Sequence, residues 1–275
     1  MNACRYSWAQ ALGWLISLLL FLAVLKDLPG LGISASTTRG SPDALPEEAA
    51  SNPPHSVTAM RERLYFRIYW LGIYVGHATI EAVHSNGVVT ITSSAHSAPF
   101  LSVLYKVEDF AESRMMNGMP FQFRIKQHEG RYRSDKETIF DLPNRKITFF
   151  NYLKNTKDEH TIADLQVWDV LSGFYYLRTQ ILEVGKTIFI DVFDSNKFLS
   201  VAVYVLGKER IVTPERGAVD TVKIKPVLHS DGLFQKKGDV FVWLTDDESK
   251  VPVKVETEVP VGKVTAKLVG IERGV

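Results

Sequence analysis

The carboxylates are the side chains of this sequence with the clearest capacity for chemistry. Glu108 and Asp109 are adjacent in "VEDF", and Asp246, Asp247 and Glu248 are consecutive in "LTDDES". Two carboxyl groups held about 5 to 9.5 Å apart across a cleft can hydrolyse a glycosidic bond. The second cluster, however, lies between two predicted strands, where aspartate is favoured simply as turn chemistry. Turn and hydrogen-bonding roles are the leading interpretation, and a hydrolase acting through Asp109, Asp246 or Asp247 is the alternative.

Metal-ligand and nucleophile motifs are missing from the sequence. The seven histidines form neither HxxxH nor HExxH, and the acids of "TDDES" lack EF-hand spacing. No GxSxG elbow and no glycine-rich phosphate loop occur. Ser172 follows Asp169 by three residues, but no histidine is near them in the sequence. We therefore predict no metal, no cofactor and no catalytic set, and only a possible polar site made of Asp109, Asp169, Asp246 and Asp247.

An aromatic helix is predicted in "VWDVLSGFYYLRTQILEVG", residues 167 to 185. Asp169 is a suitable N-cap for a helix over 169–183, because its carboxylate can accept hydrogen bonds from the free N–H groups of the first turn. Gly185 follows the predicted end. The apolar stripe of this helix is wider than one surface helix needs, and it comprises Val170, Leu171, Phe174, Tyr175, Leu177 and Ile181.

Arg178 is the one arginine of that helix. If the helix packs against a sheet, Arg178 needs a carboxylate or carbonyl partner, because an unpaired buried charge is very costly. One interpretation is a structural ion pair that holds the helix to the sheet. The other is a contact to the headgroup of an anionic amphiphile. The candidate ligand-binding residues are accordingly Phe174, Tyr175 and Arg178, with Trp70 and Trp243.

The elements that would position these residues are β-strands. From Leu64 the sequence alternates, with Leu64, Phe66 and Ile68 on one face and Tyr65 and Arg67 on the other. Turn signals separate similar segments, which predicts an antiparallel meander. The predicted strands are about 64–70, 77–84, 87–95, 106–115, 120–128, 131–140, 145–152, 187–193, 198–206, 208–213, 218–227, 239–245, 251–259 and 262–271.

So many strands cannot form a flat sheet, because sheets twist and exposed edges invite pairing with other chains. The predicted fold class is mainly β: a large curved antiparallel sheet or half-open β-barrel, with one substantial helix, 169–183, packed on its concave face. A second short helical piece, "APFLSVLY" at 98–105, is placed at the other end.

The N-terminal part of the chain has the pattern of a targeting segment. An apolar run from Ala11 to Leu25 follows Arg5, and small residues lie at 34–36. Fifteen apolar residues suit a signal peptide but are short for a transmembrane helix, which needs about 20. We predict a signal peptide over 1–36, or alternatively an uncleaved anchor over 8–31, then a flexible linker over 37–59 and a single β-domain over 60–275.

Composition narrows the possible partners. The 275 residues carry a formal net charge of +1, and no Lys/Arg block occurs along the chain, so a nucleic-acid partner is disfavoured. The one cysteine, Cys4, lies inside the predicted signal peptide, which leaves the processed chain without a thiol or disulfide.

Four stretches carry a resemblance to a known family: "RLYFRIYWLGIYVGHATIEA", "DVLSGFYYLRT", "IVTPERG" and "GDVFVWLTDDESKVPVKVETEVPVGKVTAKL". Together they resemble the bacterial family called domain of unknown function 3108 over about residues 61 to 271. The resemblance implies an exported envelope protein of Gram-negative-type bacteria, and it carries no catalytic residues. In architecture, the predicted curved sheet with a covering helix also resembles periplasmic lipoprotein carriers.

The sequence therefore predicts an exported, periplasmic, non-enzymatic protein that binds a hydrophobic or amphiphilic envelope component such as a lipid, or that supports envelope integrity. If the signal is not cleaved, the protein is tethered to the inner membrane. A carboxylate-dependent hydrolase of envelope glycan or ester is one alternative, and a scaffold for an envelope protein partner is the other.

Overall fold

The computed structural model describes residues 60–214, 217–229, 239–259 and 261–274. The predicted signal peptide and linker lie outside these residues. The strands within them are β1 (Met60–Trp70), β2 (Ile73–Ser85), β3 (Val88–Ser97), β4 (Glu108–Met116), β5 (Met119–Glu129), β6 (Tyr132–Asp141), β7 (Lys146–Asn151), β8 (Thr156–Thr161), β9 (Thr187–Asp194), β10 (Lys197–Thr213), β11 (Gly217–His229), β12 (Val240–Thr245), β13 (Pro252–Glu258) and β14 (Lys263–Gly274). The helices there are α1 (Pro99–Ser102) and α2 (Val170–Thr179). Neither of these helices is long and apolar enough to cross a membrane.

All these strands belong to one antiparallel sheet, in the order β8-β7-β6-β5-β4-β3-β2-β1-β14-β13-β12-β11-β10-β9. Every neighbour in this order follows the other in sequence except β1 and β14, which pair from Arg61↔Gly274 to Trp70↔Val264. β8 and β9 are the two edges and do not pair with each other. The prediction of a large antiparallel sheet is confirmed, and the sheet is not closed into a barrel.

The alternation of β1 assigns its two faces. Leu64, Phe66 and Ile68 are each 1% exposed, whereas Tyr65 and Arg67 lie on the opposite face. Since successive side chains point to opposite sides of a strand, the apolar set fixes an inner face and the register with both neighbours. The same buried face continues through the other strands as one hydrophobic core.

Helix α2 shows that the sheet is curled. It packs against β4 and β9, which stand nine strands apart in the sheet order. In a flat sheet that separation would be about 40 Å, given strand spacing of about 4.8 Å. A helix of ten residues can touch both strands only if the sheet wraps around it. Helix α2 therefore occupies the inside of the curl.

Side chains also bring the two edges of the sheet together. The Phe193 ring of β9 lies 5.1 Å from the His160 ring of β8 and 6.5 Å from the Phe149 ring of β7, centroid to centroid. Asn196 lies in the β9–β10 turn, where its Oδ1 accepts from His160 Nε2 at 2.6 Å and its Nδ2 donates to Asp158 Oδ2 at 3.1 Å. These contacts connect the edges without a backbone ladder.

Antiparallel connectivity divides the turns between two ends of the sheet. We call one the helix end; it contains the β2–β3 turn, the 162–186 connection with α2, and the β12–β13 turn. We call the other the rim; it contains the β1–β2 turn, the β3–β4 connection with α1, the β5–β6 turn and the β13–β14 turn. The predicted short helical piece is α1, and it does lie at the end opposite α2.

The predicted strand count is right, but two compensating errors lie beneath it. The sequence predicts no strand at β8, because "TKDEHT" has no apolar alternation; as an edge strand it has no buried position. Conversely, β10 is one strand and not two. Its register shifts between Val205 and Gly207, so a bulge interrupts the apolar alternation without ending the strand.

The predicted helix boundary at 183 is also wrong. Helix α2 ends at Thr179, and Gln180 is already extended at φ −82°, ψ 155°. The side-chain hydroxyl of Thr179 donates to the Tyr176 carbonyl at 2.7 Å, which satisfies an acceptor that a continuing helix would have used. Ile181 is consequently 80% exposed and does not belong to the apolar stripe.

Candidate ligand-binding cleft

A cleft of about 540 Å³ opens at the helix end, between α2 and the inner face of β1, β2 and β14. Its volume lies in the usual range of small-molecule sites, about 300 to 1,000 Å³. Glu62 faces it because it lies two residues before Leu64 and shares the inner face of β1. The lining residues are Met60, Arg61, Glu62, Ala82, His84, Tyr175, Arg178, Thr179, Glu248, Ser249, Arg273 and Gly274.

Arg178 is fixed by partners from two other elements. Its Nε and Nη2 donate to the Ser249 carbonyl at 3.1 and 2.9 Å. Its Nη2 also lies 2.8 Å from a Glu62 carboxylate oxygen. The side chain is only 10% exposed, so these contacts compensate a charge that would otherwise be costly to bury. Arg178 thus has both a carboxylate and a carbonyl partner, and both come from outside its helix.

Glu62 forms ion pairs with two arginines. Its other carboxylate oxygen accepts from Arg273 at 2.9 Å, across the β1–β14 pair. The Arg273 side chain is 48% exposed, in contrast to Arg178. Two guanidinium groups and one carboxylate leave this triad with an excess of one positive charge. Because Arg273 reaches solvent, it is the arginine more available to an incoming anion.

Tyr175 forms the wall beside the triad. The Arg178 guanidinium carbon lies 4.9 Å from the centre of the Tyr175 ring, within cation–π range. The Tyr175 hydroxyl is buried and has no hydrogen-bond partner among the described residues. Burial raises the pKa of Tyr175 to about 12, so the hydroxyl keeps its proton at neutral pH. It is a buried donor beside the cleft whose bond is not made within the described protein.

The N-terminal half of α2 is locked into the core. Both oxygens of Asp169 accept hydrogen bonds, from Ser113 Oγ at 2.6 Å, Ser172 Oγ at 2.7 Å, Leu171 N at 2.9 Å and Ser172 N at 3.0 Å. Burial raises the pKa of Asp169, although the bonds from Ser113 and Ser172 act in the opposite direction. Asp169 is the predicted N-cap, within a capping box, and it also ties α2 to β4. Its contacts are structural.

The other aspartates of the possible polar site lie apart from Asp169. Asp109 is buried near the rim, where Oδ1 accepts from His128 N at 2.9 Å and Oδ2 has no hydrogen-bond partner in the part of the chain that the structure describes. Burial raises the pKa of Asp109. Asp246 and Asp247 lie in the β12–β13 turn at the helix end. The four aspartates therefore do not converge on one cleft.

Asp246 and Asp247 have the roles expected of turn residues. Asp246 pairs with Lys208 at 2.7 Å. A single oxygen of Asp247 accepts from the Thr245 hydroxyl, the Ser249 N and hydroxyl, and the Lys250 N, at 2.7 to 3.1 Å. Burial opposes ionisation of Asp247, but the bonds from Ser249 and Thr245 outweigh it and lower its pKa. This carboxylate is held ionised by the turn.

Of the predicted ligand-binding residues, Tyr175 and Arg178 lie together in the cleft. Phe174 is half-buried behind them, with its ring 6.3 Å from that of Tyr175. Trp70 is at the rim, where its indole N–H donates to the Val261 carbonyl at 2.8 Å. Trp243 is buried, donates to Glu209 and lies under the Lys254 ammonium, 4.0 Å from its ring centre.

Sequence reasoning did not identify Glu62, Arg273, His84 or Ser249. Glu62 and Arg273 are 211 residues apart and meet only because the first and last strands of the sheet pair. A partial signal was available for Glu62, which continues the inward alternation of Leu64 and Phe66. A carboxylate at an inward position predicts a cationic partner.

One solved structure of similar fold agrees with this architecture. The fold resembles the crystal structure of a β-barrel-like protein of domain of unknown function DUF1849 from Brucella abortus, with a TM-score of 0.53, 9% sequence identity, and coverage of 80% of this chain and 99% of that one. A candidate lipoprotein from Parabacteroides distasonis has a TM-score of 0.29 and 10% identity, over 78% of this chain and 95% of that one. No curated protein matches the sequence.

The fold and cleft define a large curled antiparallel sheet with a helix inside it and an ion-pair triad at one mouth. Residues 65–269 match the family described as Protein of unknown function (DUF3108). The chain belongs to that family, and the resemblance carried by the four sequence stretches is confirmed.

Proposed function

We propose that this protein binds an anionic amphiphile of the cell envelope, non-enzymatically, in the cleft at the helix end. The observation that carries the proposal is the triad of Arg178, Glu62 and Arg273, with two cations around one anion at the mouth of an apolar interior. A carboxylate or phosphate headgroup would bind Arg273 and complete the charge balance. Charge-assisted hydrogen bonds to arginine are about twice as strong as neutral ones.

The surroundings of the triad suit the rest of such a ligand. Met60, Ala82 and the Tyr175 ring supply apolar walls between the charged groups. The unpaired Tyr175 hydroxyl offers a donor to a second polar atom of the ligand. Apolar walls with a few convergent polar groups are the usual composition of a small-molecule site.

The packing of α2 bears on how the ligand enters. Leu171 and Leu177 are at most 3% exposed, and Gly173 lies against Val192 and Ile190 of β9, such that an added Cβ would be 3.4 Å from Val192. These contacts support a permanent core role for the buried face of the helix along its length. The ligand site is therefore beside the last turn of α2 and not beneath a helix that opens as a lid.

We also infer export to the periplasm by the segment over 1–36, with an inner-membrane tether as the alternative if the segment is retained. The support is the apolar run from Ala11 to Leu25 with small residues after it. N-terminal sequencing of protein from the producing cell is expected to begin between about Ser34 and Thr38. Full-length protein recovered from the cytoplasm would contradict export.

Native mass spectrometry of the protein purified from its own envelope, with lipid extraction, tests the binding proposal. We expect a bound mass that extracts as an anionic lipid or fatty acid. Ligand-free protein, or bound lipids in the same proportions as the bulk membrane, would contradict it. The hydrolase alternative has less support, because Asp109 is at the rim, Asp246 pairs with Lys208 of β10, and Asp247 is held by contacts within its turn.

A further inference from the structure

The rim carries a row of exposed apolar side chains. Leu71 in the β1–β2 turn is 58% exposed, and Ile73 at the start of β2 is 62% exposed. In the β3–β4 connection, Phe100 is 60% exposed and Val103 and Leu104 are each 85% exposed. We call these five residues the apolar rim. Single exposed apolar residues are ordinary on soluble proteins, but a cluster of them marks an interaction surface.

Backbone contacts make the apolar rim one continuous surface. The Ala98 N–H, at the start of α1, donates to the Val75 carbonyl of β2 at 2.8 Å, which brings the two apolar connections side by side. On the other side, the Leu71 N–H donates to the Lys263 carbonyl at 3.1 Å, and the Leu71 side chain covers Gly262. Three strand connections that are neighbours along the rim are thus joined.

The charges around the apolar rim are mostly positive. Beyond α1 the Gly130 N–H donates to the Lys106 carbonyl at 2.8 Å, which places the β5–β6 turn and its exposed Arg131 and Arg133 next to Lys106. The exposed acids at the described part of the rim have basic neighbours: Glu108 pairs with Lys106, and Glu258 lies opposite Lys263 on the neighbouring strand. Two arginines therefore remain in excess beside the apolar side chains.

Exposed apolar side chains next to excess positive charge match the chemistry of an anionic lipid bilayer. Apolar and aromatic side chains flanked by Lys and Arg are typical of protein surfaces that lie in the interface of an anionic bilayer, with the apolar groups about 5 to 10 Å into the headgroup region. Trp70 and Tyr74 adjoin the β1–β2 turn, and tryptophan and tyrosine are enriched at that depth of a membrane.

We propose that the apolar rim docks on the surface of an anionic lipid bilayer. Val103 and Leu104 enter the headgroup region first, because they are the most exposed, and Arg131 and Arg133 contact lipid phosphates. The cleft opens at the opposite end of the sheet, so docking leaves it accessible to solvent. The docking surface does not depend on the function proposed for the cleft.

A site-specific fluorophore tests the docking independently of the N-terminal segment. Leu104→Cys is labelled with an environment-sensitive dye in the full chain, with Cys4 replaced by serine where it is retained. The matched control is Val212→Cys, because Val212 is 84% exposed and lies at the helix end. Vesicles of phosphatidylglycerol and phosphatidylcholine are compared with vesicles of phosphatidylcholine alone.

We expect a blue shift of the dye at position 104 with the anionic vesicles, a smaller one with the neutral vesicles, and none at position 212. The double variant Val103→Ser with Leu104→Ser, reported by a dye at position 73 (Ile73→Cys), should need at least about tenfold more lipid for half-maximal shift, given about 0.8 kcal/mol per buried CH₂. No shift at position 104, or equal shifts at 104 and 212, would overturn the proposal. A rim that instead binds a protein gives the first of these results.

Discussion

At the scale of single residues, Arg178 and Arg273 share the carboxylate of Glu62 but differ in their surroundings. Arg178 also binds the Ser249 carbonyl and is 10% exposed, whereas Arg273 is 48% exposed. The first arginine connects α2 to β1 and to the β12–β13 turn. The second is placed to meet a ligand. One ion-pair triad can therefore combine a structural and a binding role.

This division predicts different stabilities for the two alanine variants. Arg178→Ala should lower the free energy of unfolding by about 2 to 3 kcal/mol, because it removes buried hydrogen bonds to a charged group. Arg273→Ala is the matched control and should cost less than about 1 kcal/mol, as expected of an exposed pair. Urea denaturation measures both. Equal losses would show that Arg178 is not the structural member.

Asp194 predicts a pH dependence of stability. Burial raises its pKa from 3.8 to about 6, and its Oδ2 has no hydrogen-bond partner among the described residues. The pKa of Asp194 is higher in the folded state than in the unfolded state. The contribution of Asp194 to the free energy of unfolding is therefore fully present below about pH 4, where its carboxyl is protonated, and is lost as the pH rises to about 6. That loss is about 3 kcal/mol at 1.36 kcal/mol per pH unit.

Asp194→Asn should remove this loss, so the free energy of unfolding should fall less between pH 4 and pH 7 in the variant than in the wild type. The control is Asp191→Asn, because Asp191 is an exposed aspartate on the same strand. It should reproduce the wild-type profile. A wild-type profile in the Asp194 variant would mean that folding does not raise the pKa of Asp194.

At the scale of elements, α2 is shorter than its sequence pattern indicates, and its two faces have different roles. Val170, Leu171, Gly173 and Leu177 are buried against β4 and β9. The following residues turn away, which leaves Ile181 exposed. The last helical turn, with Tyr175 and Arg178, faces the cleft. The face of α2 that carries Leu171 and Leu177 holds the fold, and the side of its last turn that carries Tyr175 and Arg178 forms the site.

Paired substitutions test that boundary. Leu177→Ala should cost about 3 kcal/mol, because it opens a cavity in a packed core. Ile181→Ala should cost less than about 0.5 kcal/mol, as usual for surface positions. Thermal or urea unfolding gives both values. If Ile181→Ala is as destabilising as Leu177→Ala, the helix extends to 183 as the sequence pattern indicates.

Local signals explain which elements sequence reasoning identified. The N-cap at Asp169 was predictable because the capping residue lies within three positions of its partners. Strand β8 was missed because both of its faces are polar. Strand β10 was predicted as two strands because the bulge near Gly207 interrupts its period-two alternation. The end of α2 depends on side-chain bonds to the Tyr176 carbonyl, for which the periodicity of the helix carries no signal.

At the scale of the whole molecule, the pairing of β1 with β14 brings the first and last strands of the chain together and assembles the triad. That pairing links residues about 200 positions apart, so alternation within each strand does not specify it. The curl was predictable from the number of strands, and the position of the cleft was not. Its location follows from where α2 ends inside the curl.

The contact between the two sheet edges should also contribute strongly to stability. Phe193 is fully buried among Phe140, Phe149, His160 and Phe198. Phe193→Ala is expected to cost about 3 to 5 kcal/mol. Phe189→Ala, on the same strand but 66% exposed, should cost less than about 1 kcal/mol. Similar values for the two variants, measured by urea denaturation, would mean that the edges are not held together by this cluster.

The most direct test of the binding account is a displacement titration. A fluorescent fatty acid bound to the full chain is displaced by an unlabelled fatty acid and, separately, by the alcohol of the same chain length. The variants are Arg273→Ala and, as control, Arg210→Ala, whose side chain is 69% exposed and pairs with Asp220 away from the cleft. We predict that Arg273→Ala weakens the acid about tenfold, since a hydrogen bond to a charged group contributes about 1.5 kcal/mol or more, and leaves the alcohol unchanged. Arg210→Ala should change neither. Failure of the wild-type chain to bind the fatty acid, or equal affinity of the Arg273 variant for it, would contradict the account.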